Sequence, residues 1–250
     1  RLPGGQLITD YAGASSITAV GHAPNLFYGY KTRGVYATSA EASADGLSVG
    51  QPDGSYVALG AGDMRFVNTD ATNKTIDAND RQVIGDPNPD FFGSVYTSLT
   101  WKRWTLGALF AFSEGNDVYN YTRRQLESES GYENQSLAVR NRWQMEGQKT
   151  DMPKLAWGDP AGNSRFSDRW IEDGSYIRLR TLSVGYEIPF SRGALKYIAF
   201  YLTGDNLFTF THYMGYDPEF SSVEGPIGQG VNLMDTPQFK SLQLGVRLGL

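Results

Sequence analysis

The chain has 250 residues, 40% of them hydrophobic and 20% charged, which is long enough for a sizeable core and too apolar for a disordered segment. A net charge of −5 leaves no basic footprint for nucleic acid, and zero cysteines exclude a disulfide scaffold or a thiolate metal site. No stretch approaches the roughly 18 apolar residues of a membrane-crossing helix, but a β-barrel strand meets lipid with only every second side chain and escapes that test.

In chain order, residues 26–30 and 34–38 read as short strands. Residues 41–62 form a loop rich in Gly, Ser and Asp, and 64–67 a further short strand. Residues 68–81 are polar and turn-rich. No internal repeat and no composition shift marks a domain boundary. From residue 91 the pattern sharpens. Phe91, Val95, Leu99 and Trp101 share one parity, with Ser94, Ser98 and Thr100 on the other. After a short turn at Lys102-Arg103, Trp104, Leu106, Ala108, Phe110 and Phe112 alternate again. The two arms predict a hairpin of about ten residues each, enough to cross a bilayer at a tilt.

Residues 114–174 are expected to be a long polar loop with one short helix near 121–128. The strand at 176–188 slips in phase: Ile177 and Leu179 lie on one parity, and Leu182, Val184 and Tyr186 on the other. One extra residue would restore the apolar face, so a β-bulge is predicted near 180–182. A short turn at 189–195 leads to a strand at 196–206, followed by a second long loop at 207–237. The closing strand, 238–250, sets Leu242, Leu244, Val246, Leu248 and Leu250 against Ser241, Gln243, Gly245, Arg247 and Gly249. Short turns alternating with long loops are the rhythm of an outer-membrane barrel.

Five segments carry a family pattern in order. They are Phe27-Tyr28-Gly29-Tyr30-Lys31 with Gly34-Val35-Tyr36, Gly62-Asp63-Met64-Arg65-Phe66, and Ile84-Gly85-Asp86-Pro87-Asn88-Pro89-Asp90-Phe91. The remaining two are Ser167-Asp168-Arg169-Trp170-Ile171-Glu172-Asp173-Gly174-Ser175-Tyr176, and Leu202-Thr203-Gly204-Asp205-Asn206-Leu207-Phe208-Thr209-Phe210-Thr211 with Gly215-Tyr216-Asp217-Pro218-Glu219. With them the chain resembles the SusC/RagA-type TonB-dependent outer-membrane transporters over nearly its whole length. The resemblance implies an all-β fold, an antiparallel transmembrane β-barrel segment with long extracellular loops that is part of a 22-stranded barrel. At about ten residues per strand, two long loops leave room for roughly seven to nine strands. Residues 1–250 would then be the C-terminal portion of the barrel, with the plug domain absent. The implied setting is the cell outer membrane of a Gram-negative bacterium, with import of glycan fragments or peptides and no enzymatic activity. The implied partners are a SusD-like lipoprotein lid, the TonB complex reached through the missing N-terminal region, the remainder of the barrel and plug, and an oligosaccharide or peptide substrate. The family often ends its final strand in an aromatic residue; here the last residue is Leu250, so that aromatic end is missing or lies beyond this sequence.

The chemistry-bearing residues receive mostly structural readings. No cofactor is expected. Residues 68–81 sit where the family often has a calcium-like acidic loop, but Lys74 replaces the turn glycine and breaks the oxygen spacing. Asp86 between Gly85 and Pro87 is read as organising a turn. Asp168, Glu172 and Asp173 form an acidic cluster of the kind that can cut glycosides, here read as a loop locked onto a barrel rim. His22 and His212 have no ligand spacing around them. The candidate ligand-binding residues are the loop aromatics Trp143, Trp157, Tyr213 and Tyr216, whose ring faces can stack on sugars. The competing reading is a soluble all-β binding module of a surface protein, which requires the aliphatic faces to meet a second sheet.

Overall fold

A computed structural model describes residues 3–51, 53–70, 72–191, 193–220 and 226–250. Its long strands are β1 (Phe91–Trp101), β2 (Trp104–Glu114), β3 (Tyr176–Pro189), β4 (Tyr197–Thr211) and β5 (Ser241–Gly249). Its helices are α1 (Ser39–Asp45) and α2 (Tyr121–Glu127). The fold is all-β in character, with mainly antiparallel pairing. The described residues divide into two compact units. A strand unit comprises Pro89–Asn116, Asp173–Phe220 and Asp235–Leu250. A loop unit comprises the described parts of Arg1–Asn88, Asp117–Glu172 and Ser221–Met234.

The strand unit is one antiparallel five-stranded sheet in the order β1-β2-β3-β4-β5. The β1–β2 turn is tight because Lys102 takes a left-handed φ of 56°, as a two-residue hairpin turn requires. Side chains alternate along each strand, so the register decides which residues share a face. Leu99, Leu106, Val184, Leu202 and Leu244 fall in one row across all five strands. Trp101, Trp104, Tyr186, Phe200 and Val246 form the adjacent row. On β5 this face is open, with Leu244 77% exposed. The aliphatic residues of β5 are therefore not packed inside a closed core. The opposite face carries Ser98, Gly107, Ser183, Thr203 and Gln243 in one row. In the next row Asp205 accepts from Thr181 Oγ1 at 3.1 Å and Ser241 Oγ at 2.7 Å, and Gln243 Nε2 donates to it at 3.2 Å.

The predicted bulge is present. Leu109 of β2 faces Thr181 and Phe110 faces Leu179, leaving Arg180 as the extra residue. This insertion returns Leu179 and Ile177 to the face of Phe110 and Phe112. At the same level on β4, Leu179 faces Phe208 and Thr181 faces Asp205, so Asn206 and Leu207 bulge out, with Asn206 at φ 52°. That corrects the expected end of this strand. β4 does not stop at Asn206 but runs through the bulge to Thr211, because Phe208 and Phe210 resume the apolar alternation.

The loop unit replaces the expected open loops with compact structure. Its largest sheet has four strands in the order Gln6–Tyr11, Ala14–Ala19, Leu26–Gly29 and Gln82–Gly85. The expected loop at 41–62 contains most of α1 and the paired strands Ser48–Gly50 and Tyr56–Ala58. Thr38, expected in a strand, instead caps α1 by accepting from Glu41 N at 3.2 Å, and Gly46 closes the helix with a φ of 62°. The short helix expected near 121–128 is α2, capped by Asn120. One core gathers Tyr36, Leu47, Val49, Met64, Phe66 and Ile76, and a second gathers Phe27, Tyr119, Phe166, Trp170 and Val231.

Candidate functional site

The family-like segments of the loop unit are joints. Phe166 O accepts from Tyr30 N at 3.2 Å and Tyr30 O from Asp168 N at 3.0 Å, while Asp168 accepts from Thr32 N at 3.1 Å and Thr32 Oγ1 at 2.7 Å. Two segments far apart in sequence are thereby tied by backbone and carboxylate. Asp63 is buried and accepts from Lys154 Nζ at 2.8 Å, Asn163 Nδ2 at 3.1 Å and Gly60 N at 2.8 Å. Its neighbour Gly62 has φ +81°, and a Cβ there would lie 2.5 Å from Trp143 Cε3, so only glycine fits. Asp86 accepts from Asn88 N at 2.8 Å, and its own N–H donates to Asp117 Oδ2 at 2.8 Å, which makes this segment a turn.

Buried charge surrounds Trp170. Arg123 pairs with Glu127 at 3.2 Å and Glu172 at 3.1 Å, and Arg169 reaches Glu127 at 3.7 Å. Both guanidinium groups lie over the Trp170 ring, at 5.9 and 4.3 Å from its centroid. Burial lowers the Arg169 pKa to about 10, opposed by the charges of Glu127 and Glu129. Glu129 stands at a left-handed φ of 53°, and among the described residues neither of its carboxylate oxygens meets a hydrogen-bond donor. Burial raises its pKa to about 7, against the pull of Arg142 and Arg169.

The carboxylates named in the sequence are engaged locally. Asp168 serves the joint above, Glu172 accepts from Asn120 and Arg123, and Asp173 accepts from Ser175 N at 2.8 Å. In the 68–81 loop, whose Ala71 lies outside the described residues, Asp70 accepts from Thr72 and Asn73, Asp77 from Asn79 N, and Asp80 from Thr69 and Asp77 N. Among the described residues no group of three or more His, Cys, Asp or Glu could hold a metal.

The four candidate aromatics divide by exposure. In the loop unit, Trp143 is half-buried, its ring lies against Gly62, and Nε1 donates to Ala37 O at 3.1 Å. Trp157 is exposed and meets Tyr132 edge-on at 4.6 Å. In the strand unit, Tyr213 is buried 6.5 Å from Phe220, whereas Tyr216 is 81% exposed. Trp143 and Tyr213 are therefore packing residues, and Trp157 and Tyr216 offer open ring faces. Sequence reasoning missed the charges beside Tyr216. Asp217 pairs with Arg178 of β3, and Glu219 pairs with Arg180. Asp217 also accepts from Gln238 N at 2.9 Å, so one carboxylate joins β3 to the approach of β5. The available signal was two arginines bracketing Leu179 in an otherwise apolar strand.

No family model matches the chain. It is similar to TonB-dependent receptor P3 of Formosa agariphila, with 35% identity across 208 residues, 82% of this chain and 19% of that receptor. TonB-dependent receptor P26 of the same organism is 30% identical, over 92% of this chain and 23% of the receptor. The chain thus spans about a fifth of the length of these curated relatives. In fold it is similar to the structure of the RagAB peptide transporter, with a TM-score of 0.73 at 23% identity over 98% of this chain and 24% of that one. The RagAB importer in its open-open state gives a TM-score of 0.70 at 24% identity. In sequence the chain is similar to a part of TonB-dependent receptors, and in fold to a part of the RagAB peptide transporter. The relatives are named as receptors and transporters, and none as an enzyme.

Proposed function

We propose that the chain is the C-terminal portion of a TonB-dependent outer-membrane transporter of a Gram-negative bacterium. In this reading β1–β5 belong to a closed 22-stranded barrel whose plug is encoded elsewhere in a longer polypeptide. The loop unit faces the cell exterior beneath a SusD-like lipoprotein lid. The cargo is a glycan fragment or peptide, and the TonB complex supplies the energy for import. The observation that carries the proposal is the uncovered apolar face of the sheet, with the Asp205 polar ladder on its reverse. Lipid tolerates strands only when every backbone group is paired, which a closed barrel achieves.

The absence of cysteine permits a clean test. Single Leu244→Cys and Gln243→Cys variants are labelled with an environment-sensitive dye in lipid vesicles. The label at position 244 should be quenched by lipid-borne nitroxides, and the label at 243 should not. Quenching of both labels by aqueous iodide alone would place the sheet in water and favour a soluble binding module.

A further inference from the structure

We propose that a cleft in the loop unit, bounded by Arg33, Arg65 and Lys74, binds a compact oxyanion. The ligand is a carboxylate, sulfate or phosphate carried on a body the size of one sugar ring or one amino acid. The cleft has a volume of about 260 Å³, and its lining holds three cations, Arg33, Arg65 and Lys74, against one anion, Asp45. Three minus one leaves a local surplus of two positive charges, in a chain whose net charge is −5. Such a concave surplus focuses potential and draws small anions.

The three cations are not equivalent. Arg65 Nε meets Asp45 at 2.8 Å and Arg65 Nη2 meets it at 3.2 Å, while its guanidinium lies 5.5 Å from the Tyr36 ring centroid. It is held in place and largely neutralised. Arg33 and Lys74 have no carboxylate within ion-pair distance among the described residues. Both present charge-assisted donors, and a planar guanidinium beside an ammonium matches an oxyanion with two or three acceptor oxygens.

The backbone beneath each cation is fixed. Arg33 and Arg65 lie on the paired strands Thr32–Val35 and Met64–Phe66. Lys74 O accepts from Ser48 N at 2.8 Å. Asn68 Nδ2 donates to Asn73 O at 2.9 Å, and Asn73 Oδ1 accepts from Thr75 N at 3.0 Å, so the loop carrying Lys74 is ordered from within. These backbone and side-chain hydrogen bonds hold the described residues around Arg33 and Lys74, which limits the entropic cost of binding. Lys74 is also the residue that stands where a calcium loop needs glycine. The substitution that spoils a cation site thus supplies a cation to an anion site. The proposal needs only the loop unit's own geometry and stands apart from the import reading.

The test is calorimetric titration of the full chain in detergent micelles at low ionic strength. The probes are D-glucuronate, N-acetylglutamate, inorganic sulfate and, as neutral control, glucose. Oxyanion binding with glucose silent is the expected result. The double variant Arg33→Ala, Lys74→Ala should weaken binding about tenfold or more, since each charge-assisted contact is worth that order. Arg33→Lys, which keeps the charge but loses the planar fork, should bind between the parent and the double variant, and unchanged thermal unfolding of all variants shows that the fold is intact. Glucuronate binding more tightly than N-acetylglutamate assigns the remaining space to a sugar ring, and the reverse order assigns it to an amino acid; either order supports the site. Equal binding of glucose and glucuronate, no oxyanion binding at all, or affinity unchanged in the double variant overturns it.

Discussion

The strand unit leaves a continuous apolar sheet face exposed, whereas the loop unit packs two aromatic cores even though rings such as Trp157 stay exposed. Leu244 on β5 is 77% exposed, while Trp170 in the loop unit is fully buried among aromatic and charged neighbours. In a soluble protein an open sheet face this large would be an aggregation hazard. As a wall facing hydrocarbon it is the expected surface, and its stability comes from backbone pairing. The loop unit instead has packed cores and buried ion pairs, with Glu129 as a buried carboxylate that meets no hydrogen-bond donor among the described residues. Under the proposed membrane placement the two units answer to different solvents, and a residue's role depends on which unit holds it.

The largest expected effect lies where the strand unit departs from its own rule and buries charge. Removing Asp217 leaves the buried Arg178 with only Glu219, 3.5 Å from its Nε, as a counter-charge, so Asp217→Ala should cost about 3 kcal/mol in urea unfolding from micelles. Adding Arg178→Met should restore part of that loss. If Asp217→Ala is silent, the pair holds nothing together. Next comes the lipid face. Leu244→Arg should destabilise the protein in bilayers by about 2–4 kcal/mol, with Gln243→Arg on the polar face clearly milder. Equal costs at the two positions would erase the distinction between the faces.

A smaller effect concerns the buried carboxylate of the loop unit. Glu129 holds its proton up to about pH 7 when folded, whereas in the unfolded chain it releases that proton in the ordinary carboxylate range. The native state then binds more protons between those limits, so the stabilisation is complete at acid pH and is lost as pH rises through about 7. Glu129→Gln should flatten this dependence, removing about 2 kcal/mol of the decline in stability between acid and mildly alkaline buffer. Thermal unfolding at several pH values measures it, and parallel curves for the two proteins would show that Glu129 does not titrate there. The smallest effect on stability is expected at the exposed ring. Trp157→Ala should change stability by no more than about 0.5 kcal/mol. A clear loss of oligosaccharide or peptide binding at unchanged stability would make Trp157 a ligand contact, whereas unimpaired binding would leave it a surface ring.

Legibility followed the same division. The hairpin of β1 and β2, the bulge at Arg180 and the apolar face of β5 were readable because a strand's faces depend on residues two apart. The far end of β4 was misread because a bulge at Asn206 breaks that local period without ending the strand. In the loop unit α1 was missed because its seven residues present only one buried side chain, Ala42, and its limits are set by Thr38 and Gly46. Among the candidate aromatics, composition could not separate Trp143 from Trp157, because the difference is made by Gly62 and Ala37, some eighty to a hundred positions away.

The sequence by itself determined the alternation of the long strands, the place of their turns and the ordered set of segments that mark the family. These depend on neighbours one or two residues apart, or on local words that survive without their context. Only the tertiary structure decided which carboxylates are joints, which aromatics are covered, and that Arg33, Arg65 and Lys74 share one cleft while Arg178 meets Asp217. Those outcomes rest on contacts between residues tens of positions apart, and burial and charge pairing are properties of the space the chain encloses.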